Sequence, residues 1–122
     1  MKRPIAVWVS VWVMLWPSIA AAHAYLVKSV PARRATLFNA PSKIQLWFNE
    51  RLETRYSTIT VTDAHGQRVD LGNSEVVAAD PKQLTVGLKP LSPGRYTVQF
   101  RVLSVDGHVV DQNFPFTIRD TR

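Results

Sequence analysis

The chain predicts an all-β sandwich of about seven short strands behind a removable leader. Three observations carry that prediction. Apolar and polar residues alternate at period two through most of the chain beyond residue 24. Clusters of Asn, Asp, Gly, Pro and Ser punctuate the alternating runs. No stretch past the leader sustains a helical period.

The leader comes first. Met1-Lys2-Arg3 is a short basic start, and Ile5 to Trp16 is an uncharged apolar run. Pro17, Ser18, Ile19 and three alanines follow. A basic region, an apolar core and a small-residue end are the parts of a secretory signal peptide, here residues 1–22. An uncleaved anchor is the alternative, because Ile5 to Ala22 carries no charge and touches the lower length limit for a spanning helix. Pro17 and the alanines favour cleavage, since they break a helix and present small side chains to a peptidase. Cleavage after Ala22 or after Ala24 both satisfy the small-x-small rule. The first leaves a domain of residues 23–122 that begins on His23 and does not span a membrane; the second discards the histidine.

The strands follow in order. Tyr25 to Val30 reads as a weak strand. Ile44, Leu46 and Phe48 alternate with Lys43, Gln45 and Asn49. Ile59 and Val61 sit among Thr58, Thr60 and Thr62. Segments near Val69 and Val76 are weaker. Leu84, Val86 and Leu88 form the next set; Tyr96, Val98, Phe100 and Val102 another; Phe114, Phe116 and Ile118 the last. Alternation of this kind buries one face and wets the other, as antiparallel strands do. About seven such strands are what an immunoglobulin-like Greek-key sandwich or barrel requires. In "LSPGRYTV", residues 91–98, a turn enters a strand at Tyr96, placed to tie its hydroxyl to the corner backbone.

Composition narrows the chemistry. The formal charge is +6, but removing Lys2 and Arg3 leaves +4, and the basic residues are scattered. No basic block with interleaved aromatics occurs, so nucleic acid is excluded as a partner. Cysteine is absent, which removes thiolate metal sites and thiol nucleophiles. No G-x-S-x-G, phosphate-cradling glycine loop or H-E-x-x-H is present, and no enzyme is predicted.

Three histidines remain: His23, His65 and His108. Asp106 and His108 are two apart, and in an extended segment both would face one side. A surface carboxylate beside a strand-end histidine is the structural alternative. If cleavage follows Ala22, His23 carries a free α-amino group whose unperturbed pKa is about 7.7–8.0. That amine and its own imidazole Nδ1 can close a chelate ring on one ion. Three nitrogens with the Asp106 oxygen suit tetragonal Cu(II), and zinc is the competing metal. His65 in "DAHGQ" reads as an exposed turn residue.

These motifs together resemble the CopC family of copper-resistance proteins. The resemblance rests on "HAYLVKSVPA" after the leader, "IQLWFNERL", "LSPGRYTVQFRVLSVDGH" and the closing "FPFTI". It implies a small Greek-key β-sandwich in the periplasm that holds one Cu(II) per chain. It implies that His23, Asp106 and His108 are the ligands and that an inner-membrane copper transporter of the CopD type is a partner. Glu50 matches an acidic position near copper in relatives and is left outside the expected ligand set. Some members add a methionine-rich Cu(I) site; here Met1 and Met14 both fall in the leader, so no such site is expected. Where many relatives place Pro after the second histidine, this chain has Val109. Two other functions compete: a metal-free exported adhesion or assembly module, and a copper oxygenase that grips its metal through an amino-terminal histidine.

Overall fold

The computed structural model describes residues 2–13 and 24–121. Residues 2–13 carry no regular secondary structure, and the expected cleavage boundary and His23 lie outside the described residues. Among the described residues no helix is long and apolar enough to cross a membrane.

Two four-stranded sheets make the sandwich. Strands β1 (Leu26–Val30), β3 (Lys43–Phe48), β6 (Gln83–Gly87) and β5 (Glu75–Val76) form one, in the order β1-β3-β6-β5. Strands β2 (Thr36–Leu37), β8 (Val109–Ile118), β7 (Gly94–Leu103) and β4 (Thr58–Thr62) form the other, in the order β2-β8-β7-β4. The chain changes sheet after β1, β2, β3, β4 and β6, so successive strands face each other across the core. Every pairing is antiparallel except β2 with β8.

The period-two pattern predicts the core. Ile44, Leu46, Phe48, Leu84 and Val86 point inward from the first sheet. Ile59, Val61, Val98, Phe100, Val102, Phe114, Phe116 and Ile118 meet them from the second. Phe48 and Phe100 touch edge to face across the two sheets at 5.4 Å, a favoured aromatic geometry. Tyr96 closes its corner as the sequence predicts: its hydroxyl donates to the Ser92 carbonyl at 2.5 Å.

The strand count differs from the expected seven. β2 is only two residues long and too short for alternation to reveal it. The segment near Val69 is not a strand; isolated bridges tie it to β4 at Thr62–Arg68 and to the residue after β6 at Asp70–Leu88. That segment has a job. β4 is a sheet edge, and an unpaired edge invites pairing with other chains. Here the outward groups of β4 are taken up locally. Val61 N–H donates to Asp70 Oδ1 at 2.9 Å, and Val69 N–H donates to the Val61 carbonyl at 2.9 Å. Ser74 Oγ accepts from Ile59 N–H and donates to the Ile59 carbonyl.

Asp70 is the centre of this seal. Its side chain is fully buried and also accepts from Gly72 N–H and from the Arg68 guanidinium at 2.7 Å. Burial opposes its charge, but the Arg68 and Val61 hydrogen bonds, the Arg68 charge and the Gly72 N–H outweigh it. The carboxyl is held below the usual carboxylate range. A group with a lowered folded pKa stabilises the fold above its unfolded value and loses that contribution as pH falls through the folded one. Asp70→Ala should therefore cost about 2–4 kcal/mol at neutral pH, read as a lower denaturant midpoint at unchanged slope. The gap to wild type should narrow as pH falls below about 4, the unfolded carboxyl range.

Candidate metal centre

The tip of the β7–β8 hairpin holds two of the expected residues. Leu103 pairs with Val109 at the last rung. Ser104 N–H donates to the His108 carbonyl and Gly107 N–H donates to the Ser104 carbonyl, both at 2.9 Å. That leaves Val105, Asp106 and Gly107 as a three-residue loop, whose last position requires a left-handed residue. Gly107 supplies it at φ 94°. Asp106 and His108 do converge, with Nδ1 of His108 3.3 Å from Oδ1 of Asp106. The cause is not strand alternation, as the sequence suggested. They meet because a tight turn folds one back over the other.

Ser104 fixes both. It is buried, its hydroxyl donates to Asp106 Oδ1, and Ser104 Oγ accepts from the His108 N–H at 3.2 Å. The Ser104 hydrogen bond is the main reason the Asp106 carboxyl sits below its usual range; partial burial works against it, and the Glu50 and His108 side chains add to it. Sequence reading passed over Ser104. The signal was there in retrospect: a hydroxyl residue two before the aspartate can bond to it locally.

The third member arrives from another sheet. After β3 the chain runs Asn49-Glu50-Arg51-Leu52 towards the hairpin. Leu52 bridges to Ser104, Val105 N–H donates to the Arg51 carbonyl at 3.0 Å, and Glu53 N–H donates to the Leu103 carbonyl at 2.8 Å. This crossing places Glu50 against the turn. Ligand-type atoms of Glu50, Asp106 and His108 all lie within 4.8 Å of one another. The expectation left Glu50 outside the ligand set; the structure brings it into the group. A sequence pattern cannot join residues 50 and 106 without knowing that β3 crosses between sheets.

The set fits a cation. Atoms bound to one ion at about 2 Å stand no more than about 4 Å apart, so a small side-chain rotation would close the shell. Glu50 Oε2 is buried without a hydrogen-bond partner among the described residues, an expensive arrangement that a cation would relieve. Asp106 and His108 side chains stay 43% and 39% exposed, so an ion can reach them from solvent. Two carboxylates and an imidazole offer oxygen and nitrogen donors for a borderline divalent ion.

The amino-terminal side approaches the same place. Ala24 is buried. Tyr25 N–H donates to Asn49 Oδ1 at 2.7 Å, and Asn49 N–H donates to the Tyr25 carbonyl. The described chain is therefore fastened beside Glu50. His65 is elsewhere. It lies in the turn after β4, at the far end of that sheet, where Asp63 Oδ1 accepts from the His65 and Gln67 N–H groups. That is the exposed turn the sequence predicts.

A two-layer β-sandwich with a carboxylate–imidazole cluster at one hairpin tip is the class these features define. Comparison with known proteins gives the family. The CopC domain family model matches residues 26–119, and the chain belongs to the CopC family. It is 36% identical over 107 residues to protein YobA of Escherichia coli K12, covering 87% of this chain and 86% of that one. It is 32% identical to copper resistance protein C of Pseudomonas syringae pv. tomato, covering 87% of this chain and 88% of that protein. It is also 36% identical to copper transport protein CutJ of Bacillus subtilis, where the match spans only 19% of CutJ. Among solved structures, CopC from Methylosinus trichosporium OB3b superposes with a TM-score of 0.76 at 33% identity, covering 82% of this chain and 97% of that one. The expected fold and family are both borne out.

Ser104→Ala should leave the domain folded, at a cost of about 1–2 kcal/mol. It should raise the Asp106 pKa towards the ordinary carboxylate range, read by carboxyl NMR titration of the metal-free protein. An unchanged Asp106 titration would remove Ser104 from this role.

Proposed function

We propose that the chain is an exported, periplasmic copper carrier that holds one Cu(II) and is not an enzyme. The single observation that carries the reading is the Glu50–Asp106–His108 cluster in a chain of the CopC family, whose relatives include proteins named for copper resistance. In this reading residues 1–22 are a cleaved leader and residues 23–122 the working domain. His23 then binds through its new α-amine and its ring, with Asp106 and His108 completing the set.

Two features support that set. Ala24 is buried and Tyr25 is tied to Asn49, the neighbour of Glu50. One trans peptide spans about 3.8 Å between Cα atoms, so a residue joined to Ala24 needs no long reach to the cluster. Nitrogen-rich donors with one carboxylate also match the tetragonal preference of Cu(II). Glu50 serves as a nearby negative charge that completes or closes the site. A carboxylate on the ion would take a position that an oxygen-activating copper site keeps open, which favours holding over catalysis.

Delivery follows from how the ion would leave. Asp106 is held below the ordinary carboxylate range, chiefly by the Ser104 hydroxyl. Protons compete with the ion for its donor atoms, so affinity should fall on acidification. Transfer of the ion to an inner-membrane transporter of the CopD type is the partner interaction this reading implies.

Titration of the exported product with Cu(II) should give one ion per chain, and its intact mass should correspond to a start at His23. Trp47, three residues from Glu50, should report binding by fluorescence quenching. His23→Ala, Asp106→Ala and His108→Ala should each weaken binding at least tenfold without unfolding the domain, and one extra residue before His23 should do nearly the same. Wild-type affinity in all of these would end the proposal, and so would a product that starts at Tyr25.

A further inference from the structure

The far end of the same sheet carries a different kind of site. Arg34 and Arg95 line an open cleft of about 220 Å³ with Pro115 and Thr117. Arg33 and Arg34 line an adjoining cleft of about 350 Å³ with Asn113 and Phe114. All three arginines are exposed. Among the described residues the ion pairs are Arg68–Asp70, Arg101–Asp111 and His108–Asp106, and none involves these three. Asp63 shares a further cleft with Arg95, so one carboxylate stands at the margin, but three guanidinium groups along adjoining clefts still raise the local positive potential and attract anions.

The backbone holds the cluster in place. Arg34 adopts φ 61°, a left-handed conformation that costs a side-chain-bearing residue energy. Its N–H donates to the Pro115 carbonyl at 2.7 Å. Pro115 has no N–H to return, so β2 cannot extend along β8 at this level and the arginine turn takes its place. Arg33 is laid along the sheet, with its guanidinium 5.7 Å above the Phe114 ring and 3.3 Å from Gln112 Oε1. Arg95 comes from the first turn of β7, opposite Thr117.

We propose that Arg33, Arg34 and Arg95 form a docking face for an anionic phospholipid surface. Charge complementarity selects this occupant, in a chain whose formal charge is +6 with the leader and +4 without Lys2 and Arg3. The clefts are shallow, open and spread along one edge, which suits several headgroups better than one enclosed ligand. Phe38, 59% exposed, stands at the end of β2 on the same edge, where an aromatic ring can enter the headgroup boundary. Arg95 and Leu103 are the same strand's two ends, about 27 Å apart at 3.4 Å per residue. Arg34 and Arg95 stand at the end of the strand opposite the Glu50–Asp106–His108 cluster, and Arg33, against Gln112, lies between the two. The proposal does not depend on what that cluster binds.

The test uses the exported product of the full chain and three kinds of vesicle experiment. Co-sedimentation with phosphatidylglycerol vesicles should exceed that with phosphatidylcholine vesicles and should fall steeply with added salt. The triple variant Arg33→Gln, Arg34→Gln, Arg95→Gln should bind phosphatidylglycerol about a hundredfold more weakly. A control triple variant, Lys43→Gln, Arg55→Gln, Lys82→Gln, removes the same charge elsewhere and should lose less than threefold. Circular dichroism should show all three proteins equally folded. Equal losses in the two triple variants would overturn the proposal, since net charge alone would then explain binding. Saturation by millimolar inorganic phosphate without any vesicle binding would also overturn it, in favour of a free-anion site.

Discussion

The crossing of the chain from β3 to the β7–β8 hairpin is the constraint on which the cluster depends. Leu52 bridges Ser104, and Arg51 and Glu53 share backbone hydrogen bonds with Val105 and Leu103. These bonds are ordinary in strength, each worth about 1 kcal/mol net. Their value lies in register. They bring a carboxylate from one sheet to a turn on the other and hold it there. Without them Glu50 would sit on a loop, free to relax away from Asp106. Two carboxylates held this close repel each other unless a cation or proton lies between them. The segment is anchored on a packed core, with Phe48 and Leu52 buried at its two ends and Phe100 and Val102 buried on β7.

The seal on β4 and the arginine turn on β8 follow a related logic. Each is a place where regular pairing stops and side chains or turns take over. Asp70 and Ser74 satisfy the outward groups of β4, which removes an edge that would otherwise recruit other chains. At β8 the proline ends pairing with β2 and leaves room for Arg34. Irregular segments thus carry Glu50, Asp106, Asp70 and Arg34, while the alternating strands position them.

How much of this was legible in the sequence follows from the physics of each feature. Period-two alternation exposes the core strands, because burial acts locally on every second residue; Tyr96, Phe100 and Phe116 were readable for that reason. β2 was not, since two residues hold no period. Asp106 and His108 were readable as a pair but for the wrong reason: glycine at 107 turns the chain rather than extending it. Glu50 and Ser104 were the harder cases. Ser104 acts over two residues, yet a serine at a hairpin tip has many possible partners. Glu50 acts over more than fifty residues, a distance at which only the topology decides contact. Asp70 belongs with Glu50, because "RVDLG" looks like a weak strand until β4 is known to need a cover.

The two ends of the domain also divide its electrostatics. One hairpin tip concentrates carboxylates and an imidazole, and the opposite end of the same strands concentrates guanidinium groups. Where the two kinds of group meet they pair, as Arg101 does with Asp111 two rungs from the last pair of the hairpin. Separation by most of a ten-residue strand keeps Arg95 beyond the screening length at physiological salt, which is about 8 Å. Each end then keeps its own field: negative where a cation would settle, positive where an anionic surface would lie. A long, straight β-hairpin is well suited to this, because its rigidity prevents the two ends from folding together and neutralising each other. The hairpin is thus both the support for the cluster and the spacer that preserves its charge.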